Sequence, residues 1–147
     1  MSEKVNMIDI SSKPPVKRTA TAQGEIFLKA DTIQKIKDGQ IKKGDPITIG
    51  EVAAMTAIKS TPQLIPLCHQ IPITHIDFSH EFREDRILVS VSVSSIAQTG
   101  VEMEALIGVS IFLNNIWDMT KYLEKDEIGQ YPTTQISNIR VVKKEKS

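Results

Sequence analysis

Four stretches of this chain carry side chains that can do chemistry. The first ends in Leu67-Cys68-His69, a thiol beside an imidazole on a backbone stiffened by Pro62, Pro66 and Pro72. An imidazole titrates near neutral pH and serves as acid, base or ligand, but it also serves in packed loops as a hydrogen-bond partner for a carbonyl. Residue type alone leaves both roles open. The second stretch, Thr99-Gly100-Val101-Glu102-Met103-Glu104, sets two carboxylates where a helical pattern begins. Acidic residues there either face a ligand or simply complement the positive end of the helix dipole, worth about 0.3–1 kcal/mol. The third pairs Asp118 with Lys121 on one helical face, beside Trp117. A solvated pair of this kind contributes a few tenths of a kcal/mol, whereas a partly desolvated carboxylate shifts its pKa and becomes an acid–base candidate. Lys43, in the turn Lys42-Lys43-Gly44-Asp45-Pro46, can meet a phosphate or solvent. One lysine and one glycine do not make a phosphate-binding loop.

The elements around these groups must position them. Met1 to Pro15 is polar, ends in Lys13-Pro14-Pro15 and reads as an extended arm. Arg18 to Leu28 mixes small and β-branched residues and predicts a strand. Asp31 is placed to cap a short helix that Gly39 ends, and Pro46 holds Asp45 extended in the turn that follows. Thr48-Ile49-Gly50-Glu51 has the spacing of a capping box for an Ala-rich helix to Lys59. Prolines then exclude long regular structure from Ser60 to Pro72, leaving a packed loop with a helical turn. Ile87, Val89, Val91 and Val93 alternate with Ser90, Ser92 and Ser94, the mark of a strand with one buried face. Ile76, Phe78, His80 and Phe82 form the matching strand, joined to it by the hairpin loop Arg83-Glu84-Asp85-Arg86. From Glu102 to Leu123 a long helix is predicted, with Leu106, Val109, Leu113, Ile116 and Leu123 as its stripe and Met103, Ile107, Ile111 and Phe112 widening it. Ile136 to Val142 adds a last strand. This order predicts an α+β fold, helices packed on an antiparallel sheet, in one domain over 1–147 with an arm at about 1–15 and a flexible tail at about 143–147.

A chain of 147 residues can bury about two-thirds of its unfolded surface in one domain. It carries 18 basic and 18 acidic residues, so the basic excess of a duplex-binding protein is missing and no nucleic-acid partner is expected. The most apolar run, Ala105 to Met119, is interrupted by Asn114, Asn115 and Asp118 and is too short to cross a bilayer. Met1-Ser2-Glu3-Lys4 has no apolar signal segment, and a cytoplasmic location is the expectation. Cys68 is the only cysteine, which leaves no internal disulfide and no thiolate metal site. His75 and His80 fall on the hairpin without a repeating ligand spacing, and neither metal nor cofactor is expected.

Taken together, the segments resemble the cyclic pyranopterin monophosphate synthase family of molybdenum cofactor biosynthesis. The matching pieces are Met7-Ile8-Asp9-Ile10-Ser11, Lys43-Gly44-Asp45, Leu64-Ile65-Pro66-Leu67-Cys68-His69, Thr99-Gly100-Val101-Glu102-Met103-Glu104-Ala105-Leu106 and Asp118-Met119-Thr120-Lys121. The resemblance implies a lyase that converts cyclised dihydro-GTP to cyclic pyranopterin monophosphate and releases diphosphate. It implies Asp118, Lys121 and Lys43 as catalytic residues, and Leu67, Cys68, His69, Glu102, Met103, Glu104 and Arg18 as substrate contacts, Arg18 toward the triphosphate. It also implies a relative of the ferredoxin-like fold, assembled as a homohexamer, a trimer of dimers with sites between subunits. The chain departs from the family at Gln70, where proline is usual, and at its end, Lys143-Lys144-Glu145-Lys146-Ser147, which lacks the family's glycines. Lys144 and Lys146 both remain candidates for the family's terminal lysine.

On one helix Glu104 and Asp118 are separated by about 21 Å, too far for one ligand-sized pocket. If both serve one site, different subunits supply them. The competing functions are a non-catalytic oligomeric nucleotide-binding module of the same fold, another acid–base lyase acting on a phosphorylated nucleotide, and cysteine-based catalysis through Cys68. The last has only His69 as a basic neighbour.

Overall fold

The alternation from Arg86 to Ala97 decides the architecture. Ile87, Val89, Val91 and Val93 are fully buried, each stabilising the fold by about 1.5–3 kcal/mol, while Ser90, Ser92 and Ser94 turn to the opposite, half-exposed face. In the computed structural model, which describes residues 4–147, this strand lies inside a four-stranded antiparallel sheet. The elements in chain order are β1 (Val16–Phe27), α1 (Ala30–Lys37), α2 (Pro46–Lys59), α3 (Thr61–Leu64), β2 (Ile73–Phe82), β3 (Arg86–Ala97), α4 (Glu102–Glu124) and β4 (Gln135–Lys146). Spatially the strands run β2-β3-β1-β4, so β2 and β3 form the expected hairpin and β1 is clasped between β3 and β4. The α+β class read from the sequence is the one observed.

Helix α4 lies on the buried face of the sheet and α2 packs against it. Their approach depends on glycine: a Cβ on Gly50 would sit 2.6 Å from Phe112 Cδ1, and one on Gly108 2.8 Å from Ile58 Cδ1. The buried stripe of α4 therefore runs through Ala105, Gly108, Val109, Phe112, Leu113, Ile116 and Met119. Leu106 and Leu123, which the large-residue pattern put in the stripe, are only partly buried. Small residues let the neighbouring helix close in and so decide which face is covered.

Several local expectations change. Helix α2 starts at Pro46 and is capped by Asp45, which accepts from Ile47 N–H at 3.0 Å and from Thr48 Oγ1 at 2.7 Å. The Thr48–Glu51 box thus lies inside the helix, because proline at the first position with a preceding Asp is the stronger start. Asp31 likewise lies in the first turn of α1, behind Lys29 at the cap position. Strand β4 continues through Lys146, beyond Val142 and across the segment expected as a flexible tail. Arg18 faces Lys146 across the ladder, and Lys17 N–H donates to the Ser147 carbonyl at 3.2 Å.

The far end of α4 is fixed by a carboxylate with no exposed surface. Glu124 accepts from Thr32 Oγ1 at 2.5 Å, Thr134 Oγ1 at 2.7 Å and Lys29 N–H at 3.1 Å, tying α4 to α1 and to the approach to β4. A buried carboxylate is tolerable only with such donors.

Candidate active site

Most of the residues singled out in the sequence gather into two groups, one at each end of α4. At its start, Leu67, Cys68, His69, Thr99, Gly100, Glu102, Met103 and Glu104 line a cleft of about 320 Å³. The proline-rich loop supplies one wall and the β3–α4 junction the other, so two segments distant in sequence meet here. A Cβ on Gly100 would meet the Glu102 carboxylate, the mobile end of its side chain. Glycine at this position leaves room for the Glu102 carboxylate to fold back over the helix start.

Electrostatically the cleft is set by its two carboxylates. Glu104 is 4% exposed, and burial pushes its carboxyl above the ordinary value of 4.5, with the neighbouring Glu102 charge adding to the rise against the opposing effect of its own backbone N–H. Burial also pushes the Cys68 thiol up from 9.0, and Glu104 pushes it further. A thiol with a raised pKa is a poor nucleophile, which argues against chemistry through Cys68. Lys144 Nζ lies 3.2 Å from Glu102 Oε1, but off hydrogen-bond alignment, so that buried oxygen keeps its accepting capacity.

The N-terminal arm covers this cleft. Ile8, Ile10 and Lys13 line it, and His69 Nε2 lies 2.6 Å from the Ile8 carbonyl, to which it donates. The carbonyl-bonding role for this histidine is thus the observed one, and its acceptor belongs to the arm. A wider hollow of about 770 Å³ lies along the same arm, sharing Ile8, Ile10 and His69, but its only carboxylate is Asp9 and it has no lysine or arginine. The smaller cleft holds the convergent charges.

At the other end of α4, Asp118 is gripped by two lysines, with Lys43 Nζ 2.9 Å from Oδ2 and Lys121 Nζ 3.0 Å from Oδ1. Hydrogen bonds from Lys43 first, then Lys121, hold the Asp118 carboxyl below the ordinary aspartate value, and Asp118 in turn raises Lys121. Lys43 reaches α4 from the turn before α2, where Gly44 adopts φ +117°. Trp117 is braced by Tyr131, ring centroids 5.1 Å apart.

Arg18 joins neither group. It is 7% exposed in β1 and its Nε donates to the Ala97 carbonyl at 3.4 Å. Lys13 was missed in the sequence because a lysine before two prolines reads as the end of an arm. Strand register separates Lys144 from Lys146: Lys144 faces Ala20 and reaches Glu102, whereas Lys146 faces Arg18.

Among the described residues no group of three or more His, Cys, Asp or Glu is arranged to hold a metal ion, and no helix is long and apolar enough to cross a membrane. Residues 7–147 match the profile of the MoaC family. The chain is 52% identical to a probable cyclic pyranopterin monophosphate synthase of Methanosarcina mazei, over 96% of this chain and 90% of that one. It is 50% identical to a probable cyclic pyranopterin monophosphate synthase of Pyrococcus horikoshii, covering 97% and 90%. It is also 52% identical to a probable cyclic pyranopterin monophosphate synthase accessory protein of Methanothermobacter thermautotrophicus, covering 97% and 89%.

Proposed function

The chain belongs to the MoaC family, and from that premise we propose that it is a cyclic pyranopterin monophosphate synthase, a lyase of molybdenum cofactor biosynthesis. It converts cyclised dihydro-GTP to the pyranopterin with its cyclic phosphate and releases diphosphate. The observation that carries this reading is the pairing of a carboxylate cleft with a lysine–aspartate–lysine cluster, both built from the residues that resemble the family. Glu102 and Glu104 suit the guanidine-like edge of the substrate, since a carboxylate accepts two parallel hydrogen bonds from such a group. Lys13 and Lys144 bring positive charge toward the phosphates. Asp118, Lys121 and Lys43 move protons during the rearrangement.

Each active site draws its two groups from different subunits. Along α4, Glu104 and Asp118 stand about 21 Å apart, which one small substrate does not span. Met103, Leu106, Ile107 and Ile111 leave apolar surface on that helix only partly covered, as a helix with a subunit partner would. A homohexamer built as a trimer of dimers fits this requirement, the sheet order β4-β1-β3-β2 supports a ferredoxin-like relative, and the enzyme works in the cytoplasm. The test is direct: incubation of the chelator-treated protein with cyclised dihydro-GTP yields the pterin and diphosphate. Absence of both products from intact, folded protein overturns the assignment.

A further inference from the structure

Lys43 reaches Asp118 from an exposed turn, and a lysine side chain there loses rotamer freedom when fixed. Something must hold its backbone close. The turn is closed by a hydrogen bond from Gly44 N–H to the Ile41 carbonyl at 3.1 Å, with buried Ile41 before it and the Asp45 cap of α2 after it. Those bonds shape the turn and join it to α2, but they do not join it to α4. That link is made at Lys42. Its N–H donates to the Tyr122 hydroxyl oxygen at 3.0 Å, and its Nζ lies 5.1 Å from the Tyr122 ring centroid. Lys43, the next residue, then donates to Asp118 Oδ2 at 2.9 Å and to the Asp118 carbonyl at 3.3 Å. Asp118, Lys121 and Tyr122 occupy positions i, i+3 and i+4 of α4, so one helix face holds both the acid–base group and the anchor.

We propose that Tyr122 is a positioning residue for Lys43: its hydroxyl fixes the Ile41–Gly44 turn against α4 so that the Lys43 ammonium stays on Asp118. The catalytic part of this assignment rests on the proposed synthase activity, whereas the geometric part stands without it. Tyr122→Phe keeps the ring and the cation–π contact and removes only the acceptor oxygen.

Two measurements on the full-length protein test it. The first is the NMR titration of the Asp118 carboxyl carbon. Lys43 is the first cause of its lowered pKa, so loosening the turn moves the Tyr122→Phe midpoint up toward the ordinary value of 3.8. The second is turnover of cyclised dihydro-GTP. Loss of one hydrogen bond that acts through Lys43 lowers kcat about five- to tenfold. KM stays within about twofold, because the carboxylate cleft is untouched. An unmoved Asp118 titration overturns the assignment, as does a wild-type kcat in the variant or a kcat loss matched by an equal rise in KM. A wild-type protein that forms no pterin overturns the synthase reading instead, and the carboxyl titration then decides Tyr122 alone.

Discussion

Lys144 Nζ and Glu102 Oε1 lie 3.2 Å apart, so the last strand of the sheet delivers a cation to the cleft at the start of α4. The pair is partly exposed, and its worth as a surface salt bridge is small. In the proposed synthase it would place positive charge beside a substrate carrying phosphates. A charge-assisted hydrogen bond to phosphate is worth about 1.5–3 kcal/mol, so Lys144→Ala lowers kcat/KM about ten- to hundredfold. Lys146→Ala, facing Arg18 two residues along, leaves it within about twofold. Equal losses in steady-state assays of both variants would remove the distinction.

Asp118 is the hub of the second cluster, and Asp118→Asn keeps its shape while removing its charge and basicity. Turnover in the variant falls about 10²–10⁴-fold. Because the carboxylate is exposed and its lysines are half-exposed, the unfolding midpoint in urea stays close to that of the wild type. Near-normal turnover would return the cluster to an ordinary surface ion pair.

Glu104 links the cleft to stability. Its folded pKa is raised above 4.5, chiefly by burial, so the folded protein holds the proton more tightly than the unfolded chain does. Stability from this group is therefore fully present below the unfolded value and is lost as pH rises from about 4.5 through the folded pKa. Glu104→Gln removes the ionisation. Urea titrations of the two proteins should show the wild type losing stability relative to the variant as pH climbs through that window. Parallel stability curves across it would mean that Glu104 is solvated in solution.

What the sequence made legible follows from where the physics is local. The Val–Ser alternation of β3 and the proline-bounded helical turn before β2 depend on neighbours a few residues away, and both are found where expected, although Leu64 and Leu67 in the proline stretch are exposed rather than packed. The start of α2 was misread because Asp45 and Thr48 are both good caps, and only the chain path chooses between them. Val109, Leu113 and Ile116 of the α4 stripe are buried as their spacing predicts, but Leu106 and Leu123 are only partly so, because close approach at Gly108 and Ala105 shifts the covered face. Glu124 lies just past the predicted helix end at Leu123, and its burial is visible only once Thr32 and Thr134 arrive from elsewhere. In the candidate site, the motifs at Leu67–His69 and Glu102–Glu104 were readable as types. That the arm brings Lys13 to them, and that Tyr122 anchors the Lys43 turn, depends on long-range contacts that no spacing encodes.

Complementation between subunits is the sharpest consequence of the distance along α4. Glu104 is buried at the first turn and Asp118 lies near the last, on one uninterrupted helix, so about 21 Å of rise separates them. If a site takes Glu104 from one subunit and Asp118 from another, the Glu104→Gln and Asp118→Asn proteins are each inactive for a different reason. After subunit exchange in a simple dimer, about a quarter of the sites hold both wild-type groups, and about a quarter hold neither. The intact sites have unchanged immediate surroundings and should turn over at the wild-type rate. Mixing the two inactive proteins, with a denaturation and refolding cycle if exchange is slow, should therefore restore about a quarter of wild-type activity. Native mass measurement on differently labelled chains verifies that mixed oligomers have formed. Mixed oligomers that remain inactive would place both residues in a site within one chain, and α4 would then have to bend or break between them.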